Sequence, residues 1–103
     1  MDKIFVENWL AKLKVYWFNK DIDSAVSLFQ KTTFYQETPF MKPYTTLEEI
    51  KDEWQHVRDE NIQNIEVNTL AIDGYKVIAN WILKQNEQEY NGIYEIMFND
   101  KLE

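Results

Sequence analysis

Apolar residues recur at helical spacing in three parts of this chain, and they predict three helices. The first is expected to follow an N-cap at Asp2 and to end near Asn19, with one apolar face. A second, shorter helix is expected after Asp21, which is again a residue type that favours the N-cap position. Thr46 and Glu49 fit a capping box, which predicts the start of the third helix.

Segments rich in β-branched and aromatic residues predict four strands, at 32–38, 62–72, 75–84 and 90–99. Pro39 is expected to end the first strand because proline has no N–H to donate. Asp73 and Gly74 predict a tight hairpin between the second and third strands. The apolar positions of the second strand change parity near Asn68–Thr69, which predicts a β-bulge there. The chain is therefore expected to be one α+β domain spanning residues 1–103.

The order and spacing of these elements resemble the nuclear transport factor 2-like superfamily, which includes SnoaL-like polyketide cyclases and ketosteroid isomerases. The matching pieces are WLAKLKVYWFNKDIDSAVSLFQKTTFYQETPF, TTLEEIKDEW, IDGYKVIANWIL and NGIYEIMFND. The resemblance implies three helices packed on a strongly bent antiparallel sheet, which together form a cone around an apolar pocket. Members of the family continue past the Asn99-Asp100 turn into a further strand, whereas this chain stops at Glu103, so either the chain is truncated or the sheet lacks its last strand.

Strand alternation and the resemblance together predict which residues line the pocket. The more aromatic face of each strand is assigned to the interior, and three helix residues are placed opposite it. The expected pocket consists of Leu13, Trp17, Phe34, Gln36, Thr38, Trp54, Trp81 and Tyr94. Gln36, Thr38 and Tyr94 are its polar groups, and a small apolar or aromatic ligand is the expected occupant. The alternative is that the aromatic side chains simply fill the core.

Ketosteroid isomerases need a carboxylate base, a tyrosine and a protonated acid. By resemblance these positions fall on Thr38, Leu13 and Tyr94, of which only Tyr94 has a suitable group. A one-residue slip of the first strand would instead bring Glu37 into the base position. His56 is the only histidine, expected as a surface residue or, alternatively, a base at the pocket rim. The chain has no cysteine, and no metal or cofactor is expected.

The opposite face of the sheet carries a second apolar cluster, made of Ile78, Ile82, Ile93 and Met97. An exposed cluster of this kind favours burial against a second copy of the chain, so a homodimer is predicted. The alternative is that the missing last strand or a neighbouring loop would have covered these residues.

Charge narrows the range of partners. A net charge of -7 argues against binding to nucleic acid or to an anionic membrane, because both require a basic surface. No apolar run is long enough to span a bilayer, and a soluble cytoplasmic protein is expected. The expected function is small-molecule binding of the SnoaL-like type, without proton-transfer machinery. The alternatives are a non-catalytic dimeric interaction module and a weak isomerase, cyclase or lyase that uses Glu37 or Tyr94.

Overall fold

A computed structural model describes residues 1–37 and 41–99 of the chain. Within these residues the fold has three α-helices and a four-stranded antiparallel sheet, which confirms the α+β class. The helices are α1 (Lys3–Phe18), α2 (Ile22–Leu28) and α3 (Leu47–Trp54), and the strands are β1 (Thr32–Gln36), β2 (Ile62–Asp73), β3 (Lys76–Gln85) and β4 (Gln88–Phe98). Short 3-10 helices follow α2 at Phe29–Lys31 and α3 at Gln55–Asp59. Thr38 and Pro39 lie outside the described residues.

Side-chain caps start all three helices where the sequence predicted them. The Asp2 carboxylate accepts a hydrogen bond from the Ile4 amide at 2.8 Å, and Asp21 caps α2 in the same manner. At α3 the Thr46 hydroxyl accepts from the Glu49 amide at 3.2 Å, while the Glu49 carboxylate accepts from the Thr46 amide at 3.2 Å. This reciprocal capping box satisfies two amides that a helix start leaves without intrahelical partners.

The strands lie in the order β1-β4-β3-β2, and each neighbouring pair is antiparallel. The hairpin at Asp73 and Gly74 is confirmed, with Gly74 at a φ of 59°. The predicted bulge is also present, but the register shift lies between Thr69 and Ala71, slightly beyond the predicted position. At residues 95–97, β4 pairs with β1 on one side and with β3 on the other. The further strand that the resemblance implies would follow residue 99, outside the described residues.

The hydrophobic core lies between the helices and one face of the sheet. The largest contributions come from α1 and from alternating positions of β3 and β4, and the buried side chains in these three elements are Val6, Trp9, Leu10, Leu13, Trp17, Val77, Ala79, Leu83, Tyr94, Ile96 and Phe98. This confirms the predicted inward parity of the last two strands. None of the described helices is both long and apolar enough to span a membrane.

The first strand presents the opposite face from the one predicted. Phe34 and Gln36 were expected to point inward, but Tyr35 is the fully buried residue and pairs with the buried Ile96. A register shift between Thr32 and Phe34 inserts one extra residue opposite β4, which turns the rest of the strand over. The predicted inward orientation of Phe34 and Gln36 is therefore wrong, and the next inward position after Tyr35 is Glu37.

Candidate functional site

A small cavity of about 40 Å³ lies between α1, the end of α3 and the inner face of the sheet. Four aromatic side chains form most of its wall: Trp17, Trp54, Trp81 and Tyr94. Three polar side chains reach it, namely Glu37, His56 and Glu60, and the aliphatic Val57 and Leu83 complete the lining. A space of this size holds about two water molecules or a group of two or three heavy atoms.

The aromatic wall is held together by contacts between rings from different elements, two of them edge-to-face and one tilted. Trp17 of α1 contacts Trp54 of α3 with ring centroids 5.7 Å apart, and it contacts Trp81 of β3 at 6.0 Å. Tyr94 of β4 lies 6.1 Å from Trp81. Because each ring is fixed by neighbours from other elements, the wall is preformed. Gly92 contributes to this arrangement, since a Cβ at that position would lie 2.5 Å from the Trp81 ring.

Glu37 is the polar group that distinguishes this cavity from an ordinary filled core. Its Oε1 atom is buried and has no hydrogen-bond partner within residues 1–37 and 41–99. Burial raises the pKa of Glu37 from 4.5 to about 7, and the Glu53 carboxylate adds to this rise, whereas the Tyr35 hydroxyl and His56 oppose it. The Glu37 carboxyl is therefore close to half ionised at neutral pH.

His56 occupies the place where the cavity meets solvent, because it lines the cavity while its side chain is 48% exposed. Its Nε2 lies 3.3 Å from Glu60 Oε2, and its Nδ1 contacts the Glu53 backbone carbonyl. The interaction with Glu60 is the main reason why the pKa of His56 rises to about 9. The imidazole is consequently a cation at neutral pH.

Glu60 is buried, with 9% of its surface exposed, yet both carboxylate oxygens have partners. The Trp17 indole donates to Oε1 at 2.9 Å, and His56 approaches Oε2. Glu53 is similarly engaged, since the Tyr44 hydroxyl donates to its Oε2 at 3.0 Å. Glu37 therefore differs from the two neighbouring carboxylates in having an unpartnered oxygen among the described residues.

Two buried tyrosines flank Glu37. Tyr35 and Tyr94 have ring centroids 5.5 Å apart. Burial raises the pKa of each hydroxyl well above 10, and the Glu37 carboxylate raises both further. Both hydroxyls stay protonated under all ordinary conditions, so they are hydrogen-bond donors rather than bases. In the described part of the chain, Tyr35 Oη and the Trp54 indole nitrogen make no hydrogen bond of normal length, although the Tyr35 hydroxyl is near enough to Glu37 to oppose the rise of its pKa.

The structure brings together part of the predicted pocket. Trp17, Trp54, Trp81 and Tyr94 line the cavity as predicted. Leu13 is fully buried in the core, but the cavity lining does not include it. Phe34 and Gln36 lie on the outer side of β1, where Gln36 donates to the Met41 carbonyl, and Thr38 falls outside the described residues.

Sequence reasoning missed two of the cavity's polar residues as members of the site. Glu37 was considered only through a one-residue slip of the first strand, whereas the structure brings it to the cavity through the β1 bulge. Glu60 was not singled out, since it ends a polar segment whose pattern predicts exposure. The alternative placement of His56 at the rim agrees with its position at the cavity mouth.

No protein-family model matches this chain, and no curated protein matches it. Among the described residues, no group of three or more histidine, aspartate or glutamate side chains is arranged to hold a metal ion. The geometry of the cavity therefore carries the functional argument, with Glu37 and the aromatic wall as its main features.

Proposed function

We propose that this protein is a small-molecule-binding domain of the SnoaL-like type, and that its aromatic cavity receives the polar end of a ligand beside Glu37. The observation that carries this proposal is the buried, unpartnered Oε1 atom of Glu37 in a cavity with preformed aromatic walls. The order of helices and strands and the position of β4 within the sheet support a nuclear transport factor 2-like cone.

Unpartnered buried polar atoms are the physical reason to expect a ligand. Nearly all buried polar groups in proteins have hydrogen-bond partners, and leaving one without a partner costs about 1–3 kcal/mol. Glu37 and Trp54 both line this cavity and both carry such an atom. A group that hydrogen-bonds to these atoms recovers that free energy on binding.

The size of the cavity limits what enters it. Pockets that enclose whole ligands usually measure about 300–1,000 Å³, and an aromatic ring needs about 150 Å³. A cavity of about 40 Å³ receives only a small polar group, so the aromatic ligand expected from the sequence does not fit inside it. The remainder of a larger ligand would lie at the mouth beside His56.

The indole N–H signals of the four tryptophans provide a test by NMR. Trp17, Trp54 and Trp81 line the cavity, whereas Trp9 donates to the Leu28 carbonyl in the core between α1 and α2 and serves as an internal control. Titration with acetamide and other polar fragments should shift the three cavity signals and leave Trp9 unchanged. Equal shifts of all four signals, or none, would contradict the proposal.

A second candidate function is proton transfer to or from a small carbonyl compound, with Glu37 as the base. It is favoured by a carboxyl pKa of about 7, which suits a general base at neutral pH, and by the donor hydroxyl of Tyr94 in the same cavity. Deuterium incorporation from D₂O into hydroxyacetone tests it. The rate of deuterium incorporation with the natural protein should exceed the rate in buffer without protein. With Glu37→Gln it should fall to the rate in buffer. Equal rates for the two proteins would exclude this role.

We also propose that the chain forms a homodimer through the outer sheet face. Ile93 and Met97 on this face have 36% and 37% of their surfaces exposed, and Ile78 and Ile82 lie beside them on β3. Burial of this cluster against a second copy would stabilise an isologous pair. Light scattering coupled to size-exclusion chromatography should give the dimer mass, and Ile93→Lys should give the monomer. A monomer at all concentrations would contradict the dimer and the interaction-module alternative.

A further inference from the structure

Carboxyl groups outnumber positive groups around the cavity, and this excess of negative charge determines which ligands can bind there. Glu37, Glu53 and Glu60 place three carboxyl groups near the cavity, and His56 is the positive group beside them. His56 is already engaged, with Nε2 3.3 Å from Glu60 and Nδ1 3.7 Å from a Glu53 carboxylate oxygen. Among the described residues that line the cavity, an anionic ligand would therefore meet negative charge without a free cation to balance it.

The ring faces of the aromatic wall favour a cation as the carboxyl groups do, whereas the unpartnered Trp54 N–H favours a hydrogen-bond acceptor. Indole and phenol rings attract cations at their faces, and tryptophan does so most strongly. Three indoles, from Trp17, Trp54 and Trp81, and the ring of Tyr94 surround a space that holds two or three heavy atoms. Burying a cation there requires an opposite charge, and Glu37 has a buried oxygen that no described residue contacts by a hydrogen bond.

We propose that the group bound in this cavity is a protonated nitrogen, such as an ammonium or amidinium end of a ligand, held by the Glu37 carboxylate and the faces of the surrounding indoles. This inference rests on the proposed binding function and names the chemical class of the ligand. An N–H group of the ligand donates a hydrogen bond to Glu37 Oε1. The positive charge of the ligand then balances the negative charge of the Glu37 carboxylate.

The proposal implies a definite pH dependence. A bound cation requires ionised Glu37, whose pKa is about 7, so the affinity should increase about tenfold between pH 6 and pH 8. The other groups facing Glu37 change little in this range. His56 has a pKa of about 9 and remains largely charged, and the hydroxyls of Tyr35 and Tyr94 remain protonated. The Glu53 and Glu60 carboxylates contribute negative charge to the same region.

Formamidinium, formamide and formate provide matched probes, because each is planar with three heavy atoms and their charges are positive, zero and negative. Affinities for groups this small are expected to be millimolar or weaker, so the shifts of the Trp17, Trp54 and Trp81 indole signals should be followed by NMR. At pH 8 formamidinium should bind at least about tenfold more tightly than formamide, and formate should bind most weakly.

Two variants separate the role of Glu37 from general effects of charge. Glu37→Gln should remove the preference for formamidinium and leave formamide binding within about twofold. Glu66→Gln removes one carboxylate from an exposed position on β2 that is not part of the cavity lining, and it should retain the preference. Both changes keep side-chain size, and the Trp9 signal reports whether the core between α1 and α2 is intact.

Each result decides between the inference and the function on which it rests. Preferential binding of formamidinium that is lost in Glu37→Gln supports both. Preferential binding of formamide or formate at the same indoles would overturn the cationic ligand while retaining the binding site. Absence of shifts with all three probes would overturn the binding function together with the inference.

Discussion

Replacement of Glu37 by glutamine should stabilise the protein at alkaline pH and have little effect at acid pH. A rise of the Glu37 pKa from 4.5 to about 7 means that ionising this carboxyl in the folded state is penalised relative to the unfolded state. The full rise corresponds to about 3 kcal/mol, and partial exposure of the residue reduces this to about 2–3 kcal/mol. Because the folded state holds the Glu37 proton more tightly than the unfolded state does, Glu37 makes its full contribution to stability below about pH 4.5. That contribution is lost as the pH increases through about 7.

Urea unfolding followed by tryptophan fluorescence measures this effect directly. The free energies of unfolding of the natural protein and Glu37→Gln should agree within about 0.2 kcal/mol at pH 4, where the Glu37 carboxyl is largely neutral in both the folded and the unfolded state. At pH 8 the variant should be more stable by about 2–3 kcal/mol. Glu66→Gln, at an exposed site outside the cavity lining, is the control for the loss of one negative charge. A pH-independent difference for Glu37→Gln would refute the conclusion that this carboxyl is buried in the cavity.

Three further predictions concern residues around the same cavity. The His56 ring should titrate near pH 9 by NMR, and Glu60→Gln should lower that pKa because the Glu60 carboxylate is the main cause of its rise. A His56 pKa near 6.5 in both proteins would contradict the ion pair between His56 and Glu60. Gly92→Ala should destabilise the fold by about 1–3 kcal/mol and alter the near-UV circular dichroism, because the new Cβ would overlap the Trp81 ring. An unchanged spectrum and urea midpoint would show that the Trp81 ring does not lie against residue 92. Tyr35→Phe should change stability by less than about 1 kcal/mol, since the Tyr35 hydroxyl has no hydrogen-bond partner among the described residues; a loss above about 2 kcal/mol in urea unfolding would reveal a partner for that hydroxyl.

Local sequence signals predicted most of the fold because each signal acts over only a few residues. The caps at Asp2 and Asp21, the capping box at Thr46 and the Asp73 hairpin all depend on hydrogen bonds or backbone angles within about four residues. Alternation in β3 and β4 also predicted their buried faces correctly, because these strands keep one register along their whole paired length.

The face of β1 could not be predicted in this way because it depends on a bulge opposite another strand. The register shift after Thr32 is a property of its pairing with β4, which lies more than sixty positions later in the chain. One inserted residue exchanges the inward and outward positions, so Tyr35 becomes buried and the polar group that reaches the cavity is Glu37. The four aromatic residues of the site were predictable, since Trp17, Trp54, Trp81 and Tyr94 lie on regular elements.

The central claim is that Glu37 is a buried carboxyl facing the aromatic cavity. A carbon-13 NMR titration of the glutamate side-chain carboxyl groups tests it most directly, with the Glu37 signal assigned by its absence in Glu37→Gln. The pKa of this signal should lie near 7, because burial and the Glu53 carboxylate both disfavour ionisation. A pKa near 4.5 would place the carboxyl in solvent and contradict both the site and the functions proposed for it.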